Sequence, residues 1–367
     1  MRVWLVSMVL LAVAACADRT EVEFVSGPVV GTQLRDVLVA TTRAPDPEQA
    51  VPGWDRTAEV TFGRFTVSIP GDRELGEIPR PLSRRDADPA RHFMLAEAQP
   101  LTAGDFTNGL RTRLLDHAPN DREAVIFVHG FNTNFIEGVY RAAQLGHDLN
   151  LPGVLLHYSW PSLGAPLAYA HDRESALFAR DGLVSMIHQV QAAGPRRIIL
   201  IAHSMGAHLA METLRQLALS NDPALASIGG VILISPDVDV ELFRVQVQAI
   251  GTLPQPFIIV TSQRDRILSL SARLSGERTR LGNLSDAEQV AGLGVTLVDV
   301  SAFGSGDGHF TVGSSPALLQ LLAQMNAVDL SLSGETSGQL SLIPATILTL
   351  QNTTQVVLQP ITENRRR

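Results

Sequence analysis

A serine between two small residues carries the clearest indication of chemistry in the sequence. Ser204 follows an apolar run, 198–202, and precedes a helix-forming run, 207–219. Ala202 and Gly206 stand two residues to either side of it. A nucleophile on a sharp strand-to-helix turn needs small neighbours, because the strand and the helix approach closely there. The spacing therefore predicts a nucleophilic serine, and an ordinary strand-to-helix turn is the alternative.

The residues around this serine also limit the choice of base. Ala202-His203-Ser204-Met205-Gly206 resembles the G-x-S-x-G nucleophile elbow of α/β-hydrolases, with alanine in place of the first glycine. In that fold the chain order is serine, acid, histidine. Of the ten histidines only His309 lies beyond position 208. His309 is therefore the candidate base, and a surface-loop histidine is the alternative.

The acid that would orient this base has three candidates. Asp265 comes shortly after an apolar run, 257–261, that is typical of a buried strand, and it is the first choice. Asp237 is the second choice and Asp239 the third, because both follow an earlier strand-like run, 230–235. Structural roles compete with these assignments. Asp265 could pair with a neighbouring arginine, and Asp237 could form a turn with the proline before it or cap a helix.

A second loop offers donors for a negatively charged intermediate. The apolar run 124–128 is followed by His129-Gly130-Phe131-Asn132, which is similar to the oxyanion loop of lipases and esterases. We predict that the backbone N–H groups of Met205 and Phe131 form the oxyanion hole, with Asn132 as the alternative to Phe131. Two such donors stabilise an oxyanion by about 3 kcal/mol each. His129 itself is expected to be a hydrogen-bonded structural residue.

Several kinds of cofactor chemistry have no motif in the chain. All 29 basic residues are arginines, which excludes a P-loop lysine, a pyridoxal phosphate Schiff base and a Ser-Lys dyad. The sequence has no H-E-x-x-H motif and no cysteine cluster, so neither a metal nor another cofactor is expected. The net charge of −8, with both signs interspersed, argues against a nucleic-acid partner.

The first residues predict secretion and lipid attachment. Arg2 precedes an apolar run, 3–15, that is typical of a signal peptide and short for a membrane span. Cys16 follows directly and resembles the lipidated cysteine of a bacterial lipobox; an incidental cysteine is the alternative. Since Cys16 is the only cysteine, the chain forms no internal disulfide. We therefore predict a lipoprotein of the bacterial cell envelope, membrane-anchored on the periplasmic side.

Strand-like and helix-like runs alternate along the rest of the chain. Strands are expected at 37–41, 60–69, 124–128, 154–158, 198–202, 230–235, 257–261 and 295–300, and helices at 172–193, 207–219 and 317–325. This alternation predicts an α/β fold whose mostly parallel sheet has helices on both faces. After the signal peptide, residues 16–35 are expected to form a tether and residues 36–326 the main domain. Within the extension 327–367, alternating runs around Asn352 predict a small β-hairpin.

Several stretches together resemble one group of bacterial hydrolases. They are Val37–Arg43, Phe62–Pro70, Phe127–Thr133, Tyr158–Ser162 and Ala202–Gly206. The combination is similar to the esterase/lipase-superfamily group called "domain of unknown function 900", over roughly residues 35 to 325. The resemblance implies the α/β-hydrolase fold and a serine-esterase activity, and it implies no particular substrate.

Two functions of different classes are consistent with these observations. The first is an envelope-anchored serine hydrolase that cleaves a small-molecule or lipid ester through an acyl-enzyme; amides, thioesters and acyl transfer would use the same residues. The second is a non-enzymatic envelope lipoprotein that keeps the scaffold for binding. Serine, acid and histidine all occur in the required order, which favours the hydrolase.

Overall fold

The computed structural model describes residues 22–25, 29–81, 83–151, 153–274, 276, 279–303, 308–320, 345–350 and 353–358. The predicted signal peptide and Cys16 lie outside these residues. Within the described ranges, no helix combines the length and the hydropathy that a membrane span requires.

One sheet of eleven strands forms the centre of the described structure. The strands are β1 (Thr32–Arg43), β2 (Arg56–Pro70), β3 (Met94–Leu101), β4 (Glu123–Val128), β5 (Val154–Ser159), β6 (Arg197–His203), β7 (Ile228–Ile234), β8 (Phe257–Thr261), β9 (Thr296–Asp299), β10 (Ala345–Leu350) and β11 (Thr353–Leu358). Their order across the sheet is β10-β11-β9-β8-β7-β6-β4-β5-β1-β2-β3. All neighbours from β11 to β1 run parallel, and the antiparallel pairs lie at the two edges. The prediction of a mostly parallel sheet is confirmed.

Helices cover both faces of this sheet. They are α1 (Ala103–Leu115), α2 (Phe135–Asp148), α3 (Tyr169–Phe178), α4 (Arg180–Ala193), α5 (Met205–Leu219), α6 (Val240–Ile250), α7 (Arg266–Leu274) and α8 (Thr311–Ser314), with a further helical turn at 316–320. One hydrophobic core contains Leu183 of α4 and Leu214 of α5. A second core contains Val139 of α2 and Val312 of α8. The alternating apolar faces of the strands thus have helical partners on each side, as the sequence predicts.

The run expected to form one helix over 172–193 forms two, α3 and α4. Ala179 separates them, and its carbonyl accepts a hydrogen bond of 2.6 Å from the buried Tyr158 hydroxyl. Gly182 then allows α4 to pass this hydroxyl, since a Cβ there would lie 2.3 Å from it. A side chain of the neighbouring strand therefore sets the break, and the helical periodicity of the run does not reveal it.

The segments just before and after the predicted domain both add to the sheet. β1 begins at Thr32, before the expected boundary at residue 36. Upstream of it, Val25 donates to the carbonyl of Leu95, and Leu95 donates to that of Glu23. Part of the expected tether thus lies along β3.

The predicted C-terminal hairpin is confirmed and extends the opposite edge of the sheet. β10 and β11 pair antiparallel, and β11 pairs parallel with β9. Val356 lies opposite Val298 in this pairing. The hairpin is therefore attached to the strand that leads toward His309.

Candidate active site

Ser204 occupies the sharp turn between β6 and α5. Its backbone angles are φ 52° and ψ −121°, which is a strained conformation for any residue with a side chain. The Ser204 N–H donates to the carbonyl of Ile234, at 3.0 Å, and the Ser204 carbonyl accepts from the N–H of Asp237, at 3.1 Å. Ile234, the last residue of β7, and Asp237, which follows the strand, thus hold the turn in place.

The small residues of the motif have a steric cause. A Cβ at Gly206 would lie 2.3 Å from the carbonyl oxygen of His129 and 2.8 Å from that of Val128. Since both atoms belong to the backbone, they cannot move aside, and only glycine fits. Ala202 is fully buried in β6 and keeps its methyl group there. The structure therefore accommodates alanine at the first glycine position of the motif and requires glycine at the second.

His309 lies between Ser204 and Asp265. Its Nε2 is 3.0 Å from the Ser204 Oγ, and its Nδ1 is 2.8 Å from one oxygen of Asp265. The other oxygen of Asp265 accepts the N–H of Leu268 in the first turn of α7, at 2.9 Å. The Asp265 side chain is buried, and the hydrogen bonds at its two oxygens fix its orientation. The structure therefore brings together the first-choice serine, base and acid.

The two alternative acids are held by other groups. Asp237 accepts hydrogen bonds from Ser271, at 2.6 Å, and from Tyr169, at 2.8 Å. It also forms an ion pair of 3.2 Å with the buried Arg280. Asp239 caps α6, where its side chain accepts the N–H of Leu242 at 2.8 Å. Both carboxylates therefore have structural roles. Asp239 caps a helix, and Asp237 forms a buried ion pair, which differs from the turn or helix cap considered for it.

The two proposed oxyanion donors belong to the two segments that adjoin Ser204. Met205 is the first residue of α5, where the helix dipole favours negative charge. Phe131 follows Gly130, and a Cβ at Gly130 would lie 2.9 Å from that of Ser204. In the described part of the chain, the Met205 and Phe131 N–H groups donate to no backbone carbonyl. Both donors are therefore available to an oxygen near Ser204.

A buried arginine that the sequence analysis assigned no role supports this loop. Arg43, at the end of β1, donates to the carbonyls of Thr133 (2.9 Å), Ser162 (3.0 Å) and Gly53 (3.2 Å) and to the Ser159 hydroxyl (3.0 Å). Burial lowers the pKa of Arg43 to about 9, so it stays charged at neutral pH. Arg43 thus ties the oxyanion loop to two strands. In the sequence, a charged residue at the end of an apolar strand is the feature that could have indicated this supporting role.

His129 is a packed part of the same loop. Its ring stacks on Trp160, with the centroids 4.8 Å apart. Nδ1 lies 2.8 Å from the carbonyl of Gly130, and Nε2 lies 3.0 Å from that of Trp160. Burial holds the pKa of His129 well below its usual range. Burial therefore favours the neutral ring, in which one of the two nitrogens donates, and the stacking on Trp160 orients the loop.

A cavity of about 320 Å³ lies beside the three residues. Its lining residues include Gly130 and His203, which adjoin Ser204, and Phe310. The His203 ring is 4.8 Å from that of His309 and 4.3 Å from that of Phe310. Among the described residues, no group of three histidine, cysteine or acidic side chains is placed to hold a metal ion. The arrangement as a whole suits attack by a serine on an acyl carbon.

Comparisons with known proteins agree with this architecture. The family model "Alpha/beta hydrolase of unknown function (DUF900)" matches residues 106–325, a range that contains Ser204, Asp265 and His309. No curated protein matches the sequence.

Several solved structures of hydrolases resemble the chain at low identity. A cutinase-like protein from Cryptococcus sp. is 13% identical, with a TM-score of 0.31, over 56% of this chain and 93% of that one. Esterase B from Lactobacillus rhamnosis, in an inhibited form, is 11% identical, with a TM-score of 0.32, over 88% and 95%. Thermogutta terrifontis esterase 2, phosphonylated by sarin, is 11% identical, with a TM-score of 0.30, over 72% and 87%.

Proposed function

The chain belongs to the α/β-hydrolase family DUF900, and from this premise we propose that it is a serine hydrolase that cleaves carboxylic esters. The observation that carries the proposal is the hydrogen-bonded series from the Ser204 Oγ through His309 to Asp265. The strained turn at Ser204 supports it as well, because strain of this kind is retained where it serves a mechanism. A protein that only binds a ligand would have no use for either feature.

The proposed reaction has two steps. Ser204 attacks the carbonyl carbon while Nε2 of His309 takes the hydroxyl proton. Asp265 accepts the Nδ1 proton of His309, which keeps Nε2 free and stabilises the ring once it is charged. The N–H groups of Met205 and Phe131 bind the oxyanion. His309 then protonates the leaving alcohol, and water, activated by the same ring, releases the acid from Ser204.

A fluorophosphonate probe tests the proposal directly. We expect the probe to label Ser204 alone, because it reacts only with a serine whose proton has a base to accept it. Peptide mapping after labelling of the purified protein locates the site. Ser204→Ala should abolish the label, and Ser235→Ala should keep it, although Ser235 also directly follows a strand and has a positive φ of 44°. Equal labelling of Ser204→Ala and the parent protein would refute the assignment.

We also propose that the protein is anchored in the bacterial cell envelope through a lipid on Cys16. The support is the apolar run 3–15 after Arg2, directly followed by the only cysteine of the chain. Several acyl chains on one residue give stable attachment, where a single chain gives marginal binding.

The anchor predicts a change in where the protein fractionates. The parent protein is expected in the membrane fraction and to incorporate labelled fatty acid, and Cys16→Ser should lose both properties while keeping esterase activity. Fractionation of expressing bacteria measures this. Equal membrane association of the variant and the parent would count against the anchor.

A further inference from the structure

The cavity beside Ser204 contains two guanidinium groups. Arg80 and Arg141 are among the residues that line it, together with Gly130 and His203. Arg141 comes from α2, and its guanidinium lies over the ring of Phe310, 4.8 Å from the centroid. The wall of the cavity thus contains an aromatic ring and, in contact with it, a positively charged group.

The cavity is within reach of an ester bound at Ser204. Gly130 lines the cavity and also adjoins the nucleophile, since a Cβ on it would be 2.9 Å from the Cβ of Ser204 and 2.7 Å from Nδ1 of His203. Ring contacts of 4.8 and 4.3 Å lead from His309 over His203 to Phe310, which carries Arg141 on its face. These packed rings form the wall of the cavity nearest to His309. Since Gly130 and His203 adjoin Ser204 and also line the cavity, the cavity is near enough to receive the far end of an ester bound at Ser204.

The charge of Arg141 is not balanced by a direct partner. Its Nη1 donates to Gln144 at 2.8 Å and to the carbonyls of Gly313 and Gly76 at 3.1 and 3.4 Å. All three acceptors are neutral, and Arg141 forms no ion pair with any carboxylate in the described part of the chain. Burial lowers the pKa of Arg141 to about 10, so the group is still charged at neutral pH. A buried charge without a counter-ion is costly, and an anion that enters the cavity would offset that cost.

The nearby acids are already engaged. Glu137, which also lines the cavity, pairs with Arg80 at 3.1 Å. Asp148 pairs with Arg73. Burial holds the pKa of His203 well below its usual range, so the ring adds no charge. The cavity therefore has an excess of one positive charge, on Arg141.

We propose that the substrate is an ester that carries an anionic group, a carboxylate or a phosphate, and that this group occupies the cavity and pairs with Arg141. The planar guanidinium matches both groups, which accept two parallel hydrogen bonds from it. This inference rests on the proposed esterase function and adds the substrate class. Either the acyl part or the alcohol part of the ester can carry the anion.

The test compares esters of equal length that differ in charge. Nitrophenyl pentanoate is the neutral ester and mono-nitrophenyl glutarate is the anionic one; a nitrophenyl ester with a terminal phosphate distinguishes phosphate from carboxylate. We expect the parent enzyme to have a kcat/KM at least tenfold higher for one of the anionic esters. Arg141→Gln should lower the anionic-to-neutral ratio by about 10- to 100-fold, as expected for loss of a charged hydrogen-bonded pair.

Two further measurements separate charge recognition from folding. Arg111→Gln makes the same charge change on α1, where Arg111 bonds Asn108 and the carbonyl of Ala192, and it should leave the ratio unchanged. If Arg141→Gln does not fold, inhibition of the parent enzyme provides the test. Glutarate or inorganic phosphate should then inhibit hydrolysis of the neutral ester competitively. Arg80→Gln, at the partly exposed rim, should weaken this inhibition.

Equal kcat/KM for all the esters, together with no inhibition by glutarate or phosphate, would overturn the anionic-substrate inference. In that case labelling of Ser204 by the fluorophosphonate would still stand. Absence of both the label and any ester hydrolysis would instead refute the esterase proposal itself.

Discussion

Ser204→Ala is expected to lower kcat for a nitrophenyl ester by about 10⁶-fold, the loss seen when the nucleophile of a serine triad is removed. The reason is that Ser204, His309 and Asp265 form one hydrogen-bonded unit, so His309 has no other hydroxyl to activate once Ser204 is gone. For the same reason His309→Ala should cost nearly as much, and the double variant should lose little more. Single-turnover and steady-state assays at equal enzyme concentration measure these effects.

Ser235→Ala is the matched control for this loss. Ser235 follows β7 as Ser204 follows β6, and its N–H donates to the carbonyl of Val260. Its removal should leave kcat within a few-fold of the parent value, provided that circular dichroism shows the same fold. A Ser204→Ala variant that retains more than a hundredth of the parent kcat would exclude Ser204 as the nucleophile.

The sequence predicted the parts of this structure that depend on neighbouring residues. The apolar runs gave the central strands, and the small residues beside Ser204 gave the turn, because both are set by local steric demands. Chain order then selected His309, and a position just after a strand selected Asp265. The structure places these three side chains in one hydrogen-bonded series.

Contacts between segments that are distant in the sequence could not be predicted from local patterns. The ion pair of Asp237 with Arg280 joins the residues after β7 to a segment beyond α7, and no local pattern indicates it. The hydrogen bonds of Arg43 likewise reach the oxyanion loop from another strand. The alternating pattern of β11 predicted a hairpin, but its pairing with β9 depends on which sheet edge is open.

These distant contacts bear on how the proposed site is held. Asp237 donates its N–H to the carbonyl of Ser204, so its ion pair with Arg280 stabilises the turn at Ser204. Arg43 holds Thr133 in the loop that contains Phe131, the second proposed oxyanion donor. The geometry at Ser204 is therefore supported by two buried arginines, whereas the chemistry is assigned to a different set of residues.

The two aspartates provide the sharpest separation of chemistry from support. Asp265→Asn is expected to lower kcat by about 10⁴-fold while the fold stays intact, as in the best-studied triad. A carboxylate accepts the Nδ1 proton of His309 and leaves Nε2 free to act as the base. The amide of asparagine can instead donate to Nδ1 and hold the ring in the wrong tautomer. The Leu268 N–H still finds an oxygen on asparagine, so α7 should remain capped.

Asp237→Asn makes the same isosteric change and should have the opposite profile. Arg280 is 1% exposed, and losing the negative charge beside it should reduce the free energy of unfolding by about 3 kcal/mol. kcat should change far less than in Asp265→Asn, since Asp237 bonds Ser271 and Tyr169 and the proton of His309 is bound by Asp265. Urea unfolding and kcat on the same preparations measure both effects. If Asp237→Asn is nearly inactive while folded and Asp265→Asn keeps most of its rate, the acid belongs after β7 and the assignment of Asp265 is wrong.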